Sequence, residues 1–362
     1  MARLWRAPDA VGVLLLSVVA PVVLLSGLAP GCGGSGAGKV PPPPVTPPAF
    51  TAPLPWVYSQ VFSPTSPFHT TVAALKMSGA VVLPQSEMAS LWSQSIANQG
   101  LSETSYMYPV YVSSAADPVK TFTCGSGWPC NADGLSIHVP AGAVPEPQSD
   151  GHFAIIDTAL QVEVDGWQCV VGQTTVKCAW GGKFAFNGKG IENEGSGSVK
   201  AGYAAGVFEI TAQELLNGQI DHALGMNTDC LNNPTVYPAD TNAGGTDEAC
   251  DVAGAPAYGD LVHLLWTPAQ IKASAYSAEC KTVLTALATY GAYTFDTGNG
   301  GLALLTQHQL SYTAIGKTSP WSTTILPDLV AAGDAEGTAW HSCLNRLKPS
   351  DFELLQIPAA SY

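Results

Sequence analysis

The chain has 362 residues, 14 Lys and Arg against 28 Asp and Glu, and a formal net charge of −14. Nucleic-acid binding draws on counterion release by basic side chains, and Arg346 is the sole arginine after Arg6. Nucleic acid and a polyanion gripped by an arginine cluster are therefore excluded as partners, and a neutral or metal-dressed substrate fits better.

Residues 1–31 have the form of an export signal. Arg3 and Arg6 make a positive start, and "VGVLLLSVVAPVVLLSGLA" is the apolar stretch that follows. The stretch approaches membrane-spanning length but is broken by Pro21, and "LAPGC" resembles a bacterial lipobox with Cys32 as the lipid acceptor. Pro30 is unusual at its place in that motif. The expected localisation is export, as a cell-envelope lipoprotein touching the membrane only through its lipid, or as an extracellular protein. Residues 32–55 are glycines followed by a proline run, a flexible then stiff tether. Within it, "GGSGAGK" imitates a phosphate-binding loop, but Val40 and four prolines follow where Ser or Thr and a helix are required.

Eight cysteines remain after Cys32, and no CxxC occurs, so zinc-ribbon and thioredoxin-like readings lack support. Disulfides persist in oxidising compartments. Their sequence-local spread suggests the pairs Cys124–Cys130, Cys169–Cys178, Cys230–Cys250 and Cys280–Cys343, although spacing alone does not fix connectivity.

Residues 56–362 show no second linker and no repeat, and are expected to form one disulfide-stapled domain. From about Ser105 to Gly190 short alternating runs ("YPVYVS", "TFTC", "LSIHVP", "HFAIIDT", "LQVEVDGW", "CVVGQTTVKCAW", "GKFAFNG") are separated by Gly, Pro, Asn and Asp. This is the pattern of a mainly β fold, a β-sandwich or jelly roll, with Cys169–Cys178 stapling a hairpin. Three or four helices are expected to brace it. One covers Ser86–Asn98. Another is "TAQELLNG", with Thr211 and Glu214 in capping-box spacing and Gly218 as its stop. A third is "SAECKTVLTALATYG", with an apolar stripe at Cys280, Val283, Leu284 and Leu287. "SDFELLQ", with Ser350 and Glu353, repeats the capping box.

Four stretches, "SDGHFAIIDTALQVEVDGW", "AAGVFEITAQELLNGQIDHALGM", "VYPAD" with "TNAGGTD", and "VLTALATYGAYTFDTGN", together with the closing "DFELLQIPAASY", carry a resemblance over most of residues 140–362. The chain resembles a widespread family of secreted bacterial proteins of unassigned function. The resemblance implies no activity. It marks His152, Asp157, Asp221, His222, Tyr237 and Asp296 as polar positions. The chain departs from the family pattern at "DLVHLLW", where the family has a basic Arg-Leu-x-Leu strand, and in its cysteines.

His152 and Asp157 are five apart in a strand, which puts them on opposite faces. Asp157 is either a turn cap or half of a dyad reached through a bulge. Asp221 and His222 are adjacent and diverge. A buried His222 needs a hydrogen-bond partner, for which Asp296 or Tyr237 are candidates, and it is either a core histidine or a base of tuned pKa. Asp240, Asn242, Asp247, Glu248 and Asp251 offer oxygen ligands that suit Ca²⁺ without EF-hand order, or form a solvated acidic loop; no other cofactor or metal is expected. Trp92, Trp128, Trp167, Trp180, Trp266, Trp321 and Trp340 are core residues or include a sugar-stacking platform. Neither GxSxG nor HExxH occurs.

The expected function is a carbohydrate-active protein, a polysaccharide hydrolase or lyase, with acid/base work by residues among His152, Asp157, His222 and Asp296 and with Tyr237 lining the cleft. A hydrolase would use Asp157 and Asp296 as its paired carboxyls. A lyase would use His222 as base and Tyr237 as acid. The alternative is a non-catalytic carbohydrate-binding protein or a structural envelope lipoprotein.

Overall fold

The computed structural model describes residues 61–93, 100–125, 127–191, 194–232, 235–240, 254–298, 302–336 and 340–359. The signal, the tether, Cys32, Cys250 and most of the acidic loop (Asn242, Asp247, Glu248 and Asp251) lie outside them.

The alternating runs become strands as expected. Val110–Ser113, Phe153–Asp157, Val162–Trp167 and Trp180–Ala185 pair in that order as one four-stranded sheet. Ser136–His138, Val119–Cys124, Thr175–Cys178 and Val170–Val171 form a second. The third sheet has six strands in the order Val81–Val82, Phe352–Gln356, Leu261–Leu264, Ala292–Thr297, Leu224–Thr228 and Ala303–Leu304. Each of the three is mixed, with one parallel pair among antiparallel ones. A short hairpin, Ala335–Glu336 with Trp340–His341, stands apart.

The period-2 alternation of strand side chains decides how these sheets stack. In the first sheet Phe153 and Ile155 join Val164 in a core shared with Phe122, Ile137 and Val176 of the second. Ala154 and Ile156, one residue out of phase, join a core with Tyr293, Phe295 and Leu355 of the six-stranded sheet. That sheet repeats the division: Leu224, Met226, Val262, Leu264, Phe352 and Leu354 enter a third core, where helical residues Leu91, Leu215, Ile271, Val283, Leu284, Leu287 and Leu329 cover them. Two sheets are thus buried on both faces, which is why "FAIID" is apolar at every position but its last.

The mainly β expectation holds in its coarse form, but helices are about as common as strands, 24% against 25%. The helical layer over the third core accounts for the difference. Gln85–Ser93, Ala212–Asn217 and Ala278–Thr289 match the expected helices, and Thr211 makes the capping box with Glu214 while Gly218 closes the helix in the left-handed region at φ 71°. Val72–Met77, Pro268–Ala273, Leu310–Thr313 and Leu326–Ala331 are further helices. "SDFELLQ" is corrected from helix to strand: Phe352–Gln356 runs between two neighbours of the six-stranded sheet. Its 352/354 and 355/357 positions supply opposite cores, a demand that a helical repeat does not meet.

Cys124–Cys130, Cys169–Cys178 and Cys280–Cys343 are bonded as expected. Cys230 is also disulfide-bonded, and the expected partner Cys250 falls outside the described residues. Among the described residues no helix is long and apolar enough to cross a membrane. Arg346 closes the helical layer: its guanidinium meets buried Asp334 at 2.7 Å and lies 4.6 Å over the Tyr276 ring.

The fully buried Cys280–Cys343 bridge joins residues 63 apart. Closing so long a loop removes enough unfolded-state entropy to stabilise by about 4 kcal/mol. Replacing both cysteines by alanine is expected to lower the urea unfolding free energy by about that amount, whereas opening the short Cys124–Cys130 loop should cost about half as much.

Candidate functional site

The space between the first sheet and the six-stranded sheet is filled by aromatic side chains at its centre and opens at one end. On the first sheet that end is formed by Trp167 and Trp180, which face each other directly across antiparallel strands. Trp180 is fixed by its indole N–H, which donates to the Pro129 and Gly195 carbonyls at 2.9 and 3.1 Å. The Cys124–Cys130 loop brings up Trp128, which is 44% exposed, with its ring 5.6 Å from that of Trp180 and tilted by 39°. On the opposite side, the ladder between Leu224–Thr228 and Ala292–Thr297 shifts register so that Asn227 pairs with Asp296 and Phe295 is left over. Bulges re-aim side chains. Here Phe295 enters the aromatic core while its neighbour Asp296 borders the open space.

This space is a cleft with two lobes. One, of about 220 Å³, is walled by Trp128, Trp167 and Trp180, with Ser198 and Lys200. The other, of about 260 Å³, is bordered by Tyr106, Met107, Ser149 and Asn227. Asp150, His152, Asp296 and Thr297 border both.

His152 sits at the divide. It precedes its strand in phase with Ala154 and Ile156, hence on the cleft side. Its ring stacks on Tyr108 at 4.0 Å and 23°, is 7% exposed, and has Asp150 Oδ2 3.9 Å from Nε2, beyond hydrogen-bond reach. Burial pushes its pKa down to about 3, so the imidazole is uncharged at neutral pH. Lys200 Nζ donates to Thr297 Oγ1 at 3.1 Å.

Behind His152 lies a buried acidic network that sequence inspection missed. The Tyr108 amide donates to Glu209 at 2.8 Å, and the Tyr108 hydroxyl meets the Ser198 hydroxyl at 3.0 Å. Ser198 also hydrogen-bonds the Asp165 carboxyl. Asp165 accepts the Ala205 amide at 2.8 Å and Glu163 the Gly206 amide at 2.6 Å. All three carboxyls are fully buried. Burial raises Asp165 to about 7. It also raises Glu163, with help from the Asp165 charge, and Glu209, with help from Glu163. The alternation of "VEVDGW" carried the signal: Glu163 and Asp165 share a phase with Trp167, on a face that must be internal.

Of the residues expected from sequence, His152 and Asp296 meet at the cleft. The others stand elsewhere. Asp157 is fully buried on the opposite face of its strand, as the odd spacing requires. It accepts the amides of Ala159 and Leu160, both at 3.0 Å, and the amide and Nδ1 of His138 at 2.8 and 2.9 Å. It is the turn cap, and it borders neither of the two lobes that Asp296 borders. His222 is fully buried beside the Ala212–Asn217 helix. Its Nδ1 donates to the Ala223 carbonyl at 2.8 Å and its Nε2 to Glu214 at 3.0 Å. Both partners are acceptors, so both bonds require an imidazolium. Burial pushes the pKa down, but the Glu214 charge and hydrogen bonds outweigh it and the net shift is upward. Asp221 accepts the Gln219 side-chain amide at 2.6 Å. Tyr237 precedes a cis proline and packs against the aromatic core. The Glu214 that caps the helix through Thr211 is thus the partner of His222, which lies eight residues on, past the end of that helix. Trp321 is fully buried and Trp92 packs on Phe352. Asp240, the described member of the acidic loop, accepts the Gly195 amide at 2.7 Å, and no group of three His, Cys, Asp or Glu side chains placed to hold a metal occurs among the described residues.

The chain matches no family model, no curated protein and no solved structure.

Two pH effects of opposite origin follow. A His222 pKa raised above 6.5 gives stability that is fully present below pH 6.5 and is lost as pH rises through the folded value. His222→Gln is expected to lower stability by about 2 kcal/mol at pH 6, and by less at pH 9. A raised Asp165 means that between its ordinary 3.8 and about 7 the folded state keeps a proton that the unfolded chain has lost. That contribution therefore falls as pH rises through this window. Joint Glu163→Gln and Asp165→Asn substitution is expected to flatten it and to raise stability at pH 8 by about 2–4 kcal/mol. Urea titrations at stepped pH check both.

Proposed function

We propose that the protein is an exported carbohydrate-binding protein whose cleft holds a saccharide chain. The observation that carries this reading is the meeting, in one cleft, of three tryptophans with hydrogen-bonding groups of mixed type. Sugar rings present apolar faces ringed by hydroxyls. Aromatic walls with a few placed polar groups are the chemistry that holds such a ligand. Trp128 and Trp167 offer rings, Asp150 and Asp296 accept from hydroxyls, and the uncharged His152 exchanges hydrogen bonds without imposing charge. On this reading the paired four-stranded sheets form a sandwich that presents the cleft, and the lipobox-like start tethers it to the cell envelope.

A second reading is hydrolysis, favoured by two carboxylates, Asp150 and Asp296, bordering both lobes. Glycoside hydrolysis needs such a pair across the scissile bond. In this reading Asp150 replaces Asp157, and a lyase built on His222 and Tyr237 loses its footing because neither borders the cleft.

The test is calorimetric titration of the full chain with neutral hexasaccharides, cellohexaose first, alongside release of reducing ends from neutral polysaccharides. Binding is expected, weakened roughly tenfold by Trp128→Ala, which removes an exposed ring. Reducing-end release that disappears in both Asp150→Asn and Asp296→Asn would establish the second reading. Absence of saccharide binding to a folded chain would overturn the proposal.

A further inference from the structure

The two lobes of the cleft differ in charge. The tryptophan lobe contains Lys200 beside its carboxylates. In the other lobe Asp150 and Asp296 are the only charged side chains among the described lining residues. His152 adds no positive charge there. It is more than nine-tenths buried, and its ring makes no hydrogen bond among the described residues. Tyr106, 48% exposed and held at φ 56°, gives this lobe an aromatic ring.

Two carboxylates, an unpartnered imidazole and an aromatic ring are the complement of an ammonium group. The carboxylates supply charge, the imidazole nitrogen an acceptor, and the ring a cation–π surface. An organic ammonium brings its own hydrogen-bond donors, which these acceptors match. A net charge of −14 steers cations to the molecule as a whole. Asp150, His152, Asp296 and Thr297 border both lobes, which places the second beside a ligand stacked in the first.

We infer that the second lobe receives the amine of an amino sugar, making the ligand a saccharide that carries free ammonium groups, such as a chain of glucosamine units. This inference rests on the saccharide reading of the tryptophan lobe and names the ligand class of that same site.

The experiment is calorimetric titration of the full chain with four probes: fully deacetylated chitohexaose, its N-acetylated counterpart, cellohexaose and spermidine. The deacetylated hexamer is expected to bind roughly tenfold more tightly than either neutral hexamer, with the advantage shrinking at high salt. In Asp150→Asn the ratio of deacetylated to neutral affinity is expected to fall towards one. Asp296→Asn repeats the measurement at the other carboxylate, and circular dichroism confirms that each variant folds. Equal or tighter binding of the neutral hexamers overturns the amine assignment and leaves the saccharide reading standing. Spermidine bound through Asp150 with no saccharide bound overturns both, since the cation would then come without a sugar. A deacetylated advantage unchanged in both variants also overturns the assignment, because the charge would be read elsewhere.

Discussion

The structure depends on the burial of the Phe153–Asp157 and Val162–Trp167 strands on both faces. A sheet with one wet face leaves every second side chain in water; here that second phase is buried as well. Phe153, Ile155 and Val164 must fill one core while Ala154 and Ile156 fill another. Side chains that continue the second phase are committed to the interior whatever their chemistry. Glu163 and Asp165 fall on that phase, and so do His152 and Trp167. The first pair becomes the buried acidic network. The second pair, at the ends of the strands where the aromatic filling stops, becomes cleft wall. One register therefore sets both the site and its support.

Three buried carboxyls without a cationic partner among their hydrogen bonds would be strongly unfavourable if all were charged. The upward shifts resolve this by keeping protons on the group. What the arrangement yields is directed hydrogen bonding. Glu209 holds the Tyr108 amide, Glu163 and Asp165 hold two successive amides at Ala205 and Gly206, and Ser198 links Asp165 to the Tyr108 hydroxyl. Tyr108 is the ring on which His152 lies. The network thus fixes the surface against which the cleft histidine is placed.

The strands between Ser105 and Gly190 were legible because alternation and turn residues are local signals. The helices at Ala212–Asn217 and Ala278–Thr289 were legible for the same reason. "SDFELLQ" was misread because a capping-box spacing is local too, while the competition that made it a strand comes from Leu261–Leu264, some ninety residues away. For the site, the odd spacing of His152 and Asp157 correctly put them on opposite faces. That Asp296 faces His152 depends on a bulge beside Asn227, which no local pattern announced. Asp150 sat unremarked in the turn before His152. The grouping of Trp128 with Trp167 and Trp180 depends on a disulfide loop meeting a cross-strand pair, a tertiary fact.

The two histidines make the physical point most directly. Both are buried, and burial alone pushes each towards the neutral form. At His222, Glu214 at 3.0 Å and a carbonyl at 2.8 Å, both acceptors, outweigh burial and raise the pKa. His152 has a carboxylate nearby too, but Asp150 is 3.9 Å away and 40% exposed, where water screens it, and desolvation wins. The difference of about an ångström in partner distance, with the difference in exposure, separates a histidine whose pKa is raised from one whose pKa falls to about 3 at a cleft. The histidine that stands out in the sequence beside Asp221 is thus held by Glu214 away from both lobes of the cleft, while the histidine with the more distant carboxylate borders them.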